Sequence, residues 1–382
     1  MQRPFSIREE RRPRQARPKQ KFRSDRRRLC MKFIHIADVH LGAQPDAGPA
    51  YTEKRPEELW AAFEHVVGVC RTERTDLLLI AGDLFHRQPL LRELKEVNYL
   101  FSTLSHTQVV LIAGNHDYIK KDSYYRTFRW CENVHTLFGK GLECVEFDEL
   151  QTAVYGLSYH SREIREPLYN AAAPEGRQKY EILLAHGGDD RHIPIDWENL
   201  ERAGFSYVAL GHIHKPRSVR GDRMVYAGAL EPIDCNDAGS HGYVGGEITE
   251  KGIRTRRVSC ASREYINLEI QVDEDDTSGS VKERIRDHIR EYGEENIYKI
   301  TLKGGRSSEI FFHTERMKDW GNVLEIVDET HPAYDFDRML RENEGNLIGA
   351  YIAGFAGCTR DSEEYQALCE GVEALLENRG RV

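Results

Sequence analysis

The sequence predicts an α/β protein (α+β in its later part) with mixed β-sheets flanked by helices, then a smaller α+β unit and C-terminal helices. Strand-like and helix-like patterns alternate from Met31 onward. Several apolar runs are continuous, as expected for strands buried on both faces, and the pattern changes near residue 262. With 382 residues, of which 40% are hydrophobic, the chain is long enough for more than one domain.

The first part of this pattern is typical of a βαβαβ unit. Its strands are "KFIHIAD", "DLLLIAGD" and "QVVLIAGNHD". The two segments between them, "PEELWAAFEHVVGVCRTE" and "LLRELKEVNYLFSTL", have apolar residues at helical spacing, so parallel strands are expected. Later strands follow without long helices between them, which predicts a mixed or antiparallel region: "TAVYGLSYH", "YEILLAHGG", "SYVALGHIH", "RMVYAGAL" and "HGYVGGEITEKG".

A domain boundary is expected near residue 262, which leaves residues 31–261 as the main domain. Residues 262–345 hold the strand "YINLEIQV", the helix "VKERIRDHIREYG" and the strand "IYKITLKGG", then a hairpin or a βα unit. These patterns predict a smaller α+β domain. Two helices are predicted to finish the chain, "FDRMLRENEGNLIGAYIAGF" and "SEEYQALCEGVEALLENRG", with residues 346–382 as a C-terminal helical segment suited to a partner.

Charge is distributed unevenly over a net of −9. Residues 1–30 hold 12 Lys and Arg against 3 Asp and Glu, so they are interpreted as a disordered leader or as residues ahead of a start at Met31. Contact with nucleic acid or a membrane surface is the alternative for this basic segment. Residues 262–382 hold 15 basic against 27 acidic residues, which favours a protein partner at that end.

Several function classes are excluded by composition. The longest apolar runs stay well short of the 18 residues of a transmembrane helix, and the N-terminus lacks the apolar core of a secretory signal. The eight cysteines form no Cys-x-x-Cys pair, which indicates reduced thiols rather than a disulfide framework. A cytoplasmic protein is therefore expected.

Metal-binding residue types follow five of the predicted strands directly. Because ligands bind at the carboxyl ends of strands in an α/β sheet, these side chains are expected to converge on one cleft. They are Asp38 and His40 in "ADVH", Asp83 in "AGDLFH", Asn115 and His116 in "AGNHD", His186 in "LAHGG", and His212 and His214 in "GHIH". The "GHIH" pair is predicted to lie on one side of an extended segment. His35, inside the first strand, is predicted to be a hydrogen-bonded core residue instead.

The ligand types predict the metal. Carboxylate, amide and imidazole groups without cysteine suit Mn²⁺, with Fe²⁺, Zn²⁺ and Mg²⁺ as alternatives. Even without His116, these seven ligands are too many for one ion but suffice for two that share a bridging carboxylate. Two ions about 3.5–4 Å apart clamp a phosphoryl group and activate a water for in-line attack, so the sequence predicts phosphoester hydrolysis.

At these residues the sequence resembles the calcineurin-like metallophosphoesterases, whose pattern is D-x-H, G-D, G-N-H-D/E, H and G-H-x-H. The resemblance covers residues 31–260. The stretches "GDLFH", "GNHD", "GHIHKP" and "YAGALEPID" are most similar to DNA repair nucleases of the SbcD type, including the YhaO-like branch. This resemblance implies a sandwich of two mixed sheets, a capping domain after it, and C-terminal contact with an SbcC-like coiled-coil ATPase. A homodimer is a further candidate assembly.

The resemblance also implies roles for single residues. His116 would not bind metal but would face the scissile phosphate, stabilise the charge of the transition state and protonate the leaving oxygen. His86, three residues after Asp83, would support or orient His116. The first ion would be held by Asp38, His40 and His214, the second by Asn115, His186 and His212, and both by Asp83.

The function predicted from these features is Mn²⁺-dependent cleavage of DNA phosphodiester bonds, by exonuclease or endonuclease action, in double-strand-break repair. Two alternatives remain open from the residues. One is a phosphodiesterase or phosphatase for small nucleotides or phosphoproteins, because the same core serves both. The other is a non-catalytic scaffold for a partner ATPase.

Overall fold

The computed structural model describes residues 30–315, 322–359 and 362–379, apart from the side chains of 377–379. The predicted basic leader therefore lies outside the described residues except for Cys30. Two six-stranded sheets and one three-stranded sheet account for all the strands described. None of the described helices is long and apolar enough to cross a bilayer.

The first sheet contains the predicted βαβαβ unit, which is confirmed. Strands β1 (Cys30–Ile36), β2 (Leu77–Ala81) and β3 (Gln108–Ile112) are parallel, and helices α1 (Arg55–Glu73) and α2 (Leu91–Ser102) connect them. Strand β4 (Val134–Thr136) extends the parallel edge. On the other side of β1 lie two antiparallel strands that come much later in the chain, β11 (Gly242–Thr249) and β12 (Gly252–Ser259).

The second sheet is also mixed, as predicted. Its spatial order is β5-β6-β7-β8-β10-β9, with β6, β7, β8 and β10 parallel and the outer two strands antiparallel. Helix α3 (Trp197–Ala203) precedes β8. The strands are β5 (Glu143–Phe147), β6 (Thr152–Gly156), β7 (Tyr180–His186), β8 (Tyr207–Gly211), β9 (Arg217–Arg220) and β10 (Met224–Tyr226).

The two sheets pack face to face over an apolar layer, as expected for continuous apolar strands. Leu79 and Ile112 of the first sheet and Ile182 and Ala209 of the second are fully buried in this layer. Helices α1 and α2 cover the outer face of the first sheet. Because both faces of β2 and β7 are covered, the polar groups of this domain are concentrated where those strands end.

Residues 262–382 contain a third sheet and a helical end. Strands β13 (Tyr265–Val272), β14 (Ile297–Arg306) and β15 (Val323–Pro332) are parallel, with α4 (Ser278–Tyr292) between the first two. Since β15 pairs parallel with β14, the hairpin alternative for this region is wrong. Helices α5 (Phe336–Glu342), α6 (Leu347–Gly354) and α7 (Glu363–Arg379) follow.

One helix prediction needs correction. The single helix expected over "FDRMLRENEGNLIGAYIAGF" is two helices, α5 and α6, the first of which begins at Phe336 as predicted. Gly345 has φ +87°, a left-handed conformation that interrupts a helix. Asn346 then caps α6, because its side chain accepts hydrogen bonds from the backbone N–H groups of Ile348 and Gly349.

Candidate metal centre

The predicted ligands lie at the carboxyl ends of β1, β2, β3, β7 and β8, either in the last strand residue or in the loop that follows, and the two facing sheets bring these ends together. Backbone hydrogen bonds join the loops after β1 and β2, from Asp38 N to Gly82 O (3.2 Å) and from His40 N to Asp83 O (3.1 Å). Asp38, His40 and Asp83 have φ between +50° and +51°, a conformation that non-glycine residues rarely adopt. Such strain is typical of functional sites, where the surrounding structure compensates for it.

Glycines give the ligands the space to approach one another. A Cβ atom on Gly82 would lie 2.4 Å from Nδ1 of His186, and one on Gly114 would lie 2.2 Å from Oδ1 of Asp83. Both distances are far below van der Waals contact. The glycines before Asp83 and Asn115 are therefore required by the packing of the site.

The structure brings four of the predicted residues into one group around His40. Nε2 of His40 lies 3.0 Å from Nε2 of His214. Asp38, His40 and His214 each have a potential ligand atom within 4.8 Å of those of the other two. Oδ2 of Asp83 is 4.0 Å from Nε2 of His40. Asp38, His40 and Asp83 are buried, so their polar atoms need partners within the protein or a bound ion.

A second group surrounds Asn115. Its Oδ1 lies 2.9 Å from Nε2 of His186 and 3.1 Å from Nδ1 of His212. Oδ2 of Asp83 is 3.4 Å from the same nitrogen of His186. Asp83 therefore lies between the two groups, and its Oδ1 accepts a hydrogen bond from the backbone N–H of His116 (2.8 Å).

The hydrogen bonds of three histidines decide whether these groups suit a cation. Each histidine donates its outer N–H to an oxygen that can only accept: His186 to Ala81 O (2.8 Å), His212 to Asp189 (2.7 Å) and His214 to Asp237 (2.9 Å). The inner nitrogen of each neutral ring therefore presents a lone pair. These lone pairs face other acceptors, which repel one another unless a cation or a proton lies between them. The donor set fits divalent metal ions.

The pKa shifts of the three histidines also indicate that each group needs a positive charge. Burial lowers the pKa of His186, but the carboxylates of Asp83 and Asp38 outweigh it and raise the pKa to about 9. Burial likewise opposes charge on His214, yet Asp237 and Asp38 raise its pKa to about 9. Burial lowers the pKa of His212 to about 4, so this ring is neutral. Without metal, each group thus contains one histidine that holds a proton.

His116 lies beside both groups but is bonded differently. Its Nδ1–H donates to the backbone carbonyl of His86 (3.0 Å), and no described residue forms a hydrogen bond with its Nε2. The His86 ring packs against the His116 ring with centroids 4.8 Å apart, and Nδ1 of His86 lies 3.3 Å from Nδ1 of His40. The structure thus places His86 where it can orient His116, through its carbonyl as well as its ring.

Two sequence predictions are refined by these contacts. His35 is a buried core residue as predicted, with Nδ1 bonded to the Tyr207 hydroxyl (2.8 Å). The extended conformation predicted for "GHIH" is wrong, because β8 ends at Gly211 and His212 has φ +93°. His212 therefore turns toward Asn115 while His214 turns toward His40, so the two rings enter different groups.

The acids that orient the ligands were not predicted from the sequence. Asp189 follows His186 by three residues, and Asp237 lies in the "YAGALEPIDCND" stretch, yet neither forms a recognisable spacing with the histidine it supports. Tyr159 and Tyr169, which form hydrogen bonds with the backbone of His186 at the end of β7, were not predicted either. Only the position of these residues in loops near the motifs could have indicated them.

Comparison with known proteins decides the family of this part of the chain. Residues 31–216 match the family model described as calcineurin-like phosphoesterase, and this segment contains every residue of the two groups. Residues 31–216 form a calcineurin-like phosphoesterase domain. The sandwich predicted from the sequence is therefore confirmed, and the domain belongs to a class of phosphoester-hydrolysing enzymes.

Individual relatives extend the likeness beyond this domain. The uncharacterized metallophosphoesterase YhaO of Bacillus subtilis is 29% identical over 238 residues, which are 56% of this chain and 56% of that protein. The DNA double-strand break repair protein Mre11 of Methanocaldococcus jannaschii is 29% identical over 219 residues (54% and 58%). The protein of the same name from Archaeoglobus fulgidus is 25% identical over 348 residues (78% and 76%). The chain spans a little over half the length of the first two relatives.

Metal binding to the phosphoesterase domain is expected to strengthen as pH rises. The protons on His186 and His214 sit on the inner nitrogens, so each ion must displace one proton while the pH is below about 9. The Mn²⁺ affinity should rise by up to about tenfold per pH unit for each displaced proton. Calorimetric titration in two buffers of different ionisation enthalpy counts the released protons. An affinity that stays constant between about pH 6 and about pH 8.5 would contradict this prediction.

The candidate metal centre should also lose metal affinity when the acid that accepts a hydrogen bond from His214 is changed. Asp237→Asn replaces an acceptor-only carboxylate by an amide that can present N–H to the ring, so the tautomer with Nε2 as ligand is no longer fixed. We expect Mn²⁺ affinity to fall about 10- to 100-fold. The matched control is Asp234→Asn, an exposed acid of the same loop whose carboxylate accepts a hydrogen bond, among the described residues, only from the N–H of Asn236. Equal Mn²⁺ affinity in the two variants would refute the role of Asp237.

Proposed function

We propose that this protein is a metal-dependent nuclease that hydrolyses phosphodiester bonds of DNA. The observation that carries the proposal is the convergence of seven ligand-type side chains from five strand ends on two adjoining groups, with His116 beside both. Asp38, His40 and His214 would hold one divalent ion and Asn115, His186 and His212 the other, with Asp83 between them. When bound, such ions supply positive charge for a phosphate and an activated water.

Mn²⁺ is the proposed ion. The donor set contains oxygen and imidazole groups and no thiolate, and two of its carboxylates are buried. Zn²⁺ and Fe²⁺ accept the same ligands, so the metal requirement has to be measured by reconstitution with each ion.

His116 is proposed to act on the leaving group. Because its Nδ1–H is bonded to a carbonyl, the ring cannot turn over without losing that bond, and Nε2 stays available to the substrate. A proton held at Nε2 can pass to the leaving oxygen, whose alkoxide form is otherwise a poor leaving group. In the protonated form the ring also stabilises the negative charge of the transition state.

DNA is proposed as the substrate because relatives over most of the chain are named double-strand break repair proteins. The sequence around the site supports it, since the loop after Asp117 carries Lys120, Lys121, Tyr124 and Arg126. Cations and aromatic rings of this kind contact phosphates and bases. The net charge of −9 opposes tight binding to DNA by this chain alone.

An SbcC-like ATPase is therefore proposed as the partner that provides additional affinity for DNA. Helices α5, α6 and α7 form a small apolar cluster of their own. At the start of α6, Leu347 is 69% exposed, which is unusual for leucine and suits a protein contact. Co-purification with a long coiled-coil ATPase would test this association directly.

The test of the proposed function is hydrolysis by purified protein of linear duplex, single-stranded DNA, cyclic nucleotides and phosphopeptides, each with Mn²⁺, Mg²⁺, Zn²⁺ or Fe²⁺. Cleavage of DNA in Mn²⁺ with little turnover of the other substrates supports the proposal. Preferential turnover of cyclic nucleotides or phosphopeptides would identify a small-molecule or phosphoprotein enzyme instead. Fewer than about one ion per chain after reconstitution would favour a scaffold, because the site needs two.

A further inference from the structure

A groove beside the metal centre has features of a ligand site that the proposed reaction does not use. It has a volume of about 400 Å³ and lies between the edge strand β12 and the loops that follow β8 and β10. Its lining includes Lys215, Pro216, Ala238, His241, Tyr243 and Arg257. The volume is within the range of about 300–1,000 Å³ that is typical of small-molecule pockets.

The groove adjoins the metal centre along the chain. Lys215 directly follows the candidate ligand His214, and Ala238 directly follows Asp237, the carboxylate that accepts the proton of the His214 ring. When the reacting phosphate of a substrate lies at His214, the part of the substrate next to that phosphate can therefore enter the groove.

Two cations line the groove without a protein partner. Among the described residues, no carboxylate pairs with the exposed side chains of Lys215 and Arg257, and neither makes a hydrogen bond. Two other arginines on these sheet edges are paired, since Arg256 lies 3.9 Å from Glu73 and Arg220 lies 2.8 Å from Glu201. The groove therefore presents uncompensated positive charge, which suits an anionic ligand.

A buried histidine in the groove also lacks a partner. His241 is only 1% exposed, its Nδ1–H donates to the carbonyl of Gly239 (2.8 Å), and its Nε2 has no hydrogen-bond partner in the described part of the chain. Burial lowers the pKa of His241, so the ring is neutral and Nε2 is an acceptor. A buried acceptor without a donor is rare and costs free energy. A ligand with an amino or hydroxyl group would satisfy it.

We propose that the groove binds the nucleotide next to the scissile bond of a nucleic-acid strand. Its phosphate lies between Lys215 and Arg257, and an amino group of its base or a hydroxyl of its sugar donates to Nε2 of His241. A nucleotide combines the two chemistries that the groove offers, an anion and a hydrogen-bond donor, and it is the unit that flanks a phosphodiester. This inference rests on the proposed nuclease function, because only a polynucleotide places such a unit beside the metal centre.

The experiment compares two substrates in saturating Mn²⁺. One is a labelled single-stranded oligonucleotide, which reaches the groove, and the other is bis(p-nitrophenyl) phosphate, a diester with no neighbouring phosphate. The variant is Lys215→Met with Arg257→Met. Arg254→Met is the matched control, because Arg254 is an exposed arginine of β12 that makes no ion pair with a described residue and lies on the opposite face of the strand from Arg257.

The double variant is expected to raise the KM for the oligonucleotide, relative to the KM for the small diester, by at least about tenfold. It should also reduce the salt dependence of oligonucleotide binding by about 0.7 in the log–log slope for each lost cation. His241→Phe should raise the same KM ratio and leave the salt slope unchanged, because it removes an acceptor and no charge. Arg254→Met should change neither quantity.

The outcomes separate the two proposals. If wild-type protein hydrolyses both substrates and the double variant behaves like Arg254→Met, the groove is not a nucleotide site and the nuclease function stands. If His241→Phe keeps the wild-type KM ratio, the assignment of a donor to His241 is overturned. If wild-type protein hydrolyses neither substrate with any of the metals, the nuclease function fails and the groove proposal fails with it.

Discussion

Replacing His116 with alanine is expected to lower kcat for DNA cleavage by about 10²- to 10⁴-fold while both metal ions stay bound. The metal centre should persist because the bond from position 116 to Asp83 comes from the backbone N–H, which alanine retains. What disappears is the imidazole whose Nδ1 is anchored on the His86 carbonyl and whose Nε2 is proposed to face the leaving oxygen. The measurement is single-turnover cleavage of an oligonucleotide together with metal content per chain.

A histidine remote from the centre supplies the control for this prediction. His65 is exposed on α1, and His65→Ala should keep full activity. A His116→Ala protein that holds two metals and cleaves DNA at the wild-type rate would disprove the role of His116. A variant that has lost its metals would instead indicate that His116 supports the ligands.

Replacing Arg55 with methionine is expected to lower the free energy of unfolding by about 3–5 kcal/mol. Arg55 is fully buried and donates to Glu231 (2.9 Å), Glu58 (2.7 Å) and the carbonyl of Pro232 (2.7 Å). Glu231 is fully buried as well, and burial already raises its pKa, so removal of the guanidinium leaves an uncompensated buried carboxylate. The measurement is urea unfolding followed by two independent spectroscopic probes.

The contrast for Arg55 is an ion pair of similar geometry whose arginine, but not its glutamate, is exposed. Arg87 lies 2.7 Å from Glu93, but its side chain is 45% exposed. Arg87→Met should cost less than about 1 kcal/mol, because solvent screens such pairs. If both methionine variants unfold at the same urea concentration, burial does not distinguish the two pairs, and the large stabilisation expected from Arg55 is refuted.

Arg55 also bears on how the two parts of the chain are joined. Glu58, which Arg55 contacts, also pairs with Arg263 (2.7 Å), and the Arg263 guanidinium lies 3.5 Å from the centroid of the Tyr51 ring. The Tyr51 hydroxyl donates to Glu294 O in the region of the third sheet (2.8 Å). The division into domains near residue 262 remains a prediction from the sequence, but the two sides share this polar contact.

The sequence predicts the sheet core well because burial on both faces leaves a simple pattern. Strands β2, β3 and β7 are continuous apolar runs, and each was recognised by that property. Strand β12 was not recognised, because its residues "GIRTRRVS" lie at an exposed edge and carry three arginines. Its partner β11 provides the hydrogen bonds that make it a strand, and such a partner is not visible in local sequence.

The candidate site could be predicted in part, because its ligands follow strands that are recognisable as apolar runs. Each candidate ligand follows an apolar run, so sequence order placed it at the carboxyl end of a strand, although the five strands belong to two facing sheets. Asp189 and Asp237 follow no such rule, because they lie in loops and act through one hydrogen bond each. The division of the residues between two ions and the role of His116 remain predictions to be tested by the experiments above.

The wide spacing of the candidate ligands along the chain has a consequence for biosynthesis. His40 and His214 lie side by side although 174 positions separate them, and the acid that orients His214 is Asp237. A nascent chain cannot form either group until β7 and β8 have left the ribosome and paired with the earlier strands, and the group around His40 also needs the loop beyond β10 for its orienting acid. Metal uptake must therefore follow nearly complete folding of the domain, so that partly synthesised chains cannot carry a functional hydrolytic centre.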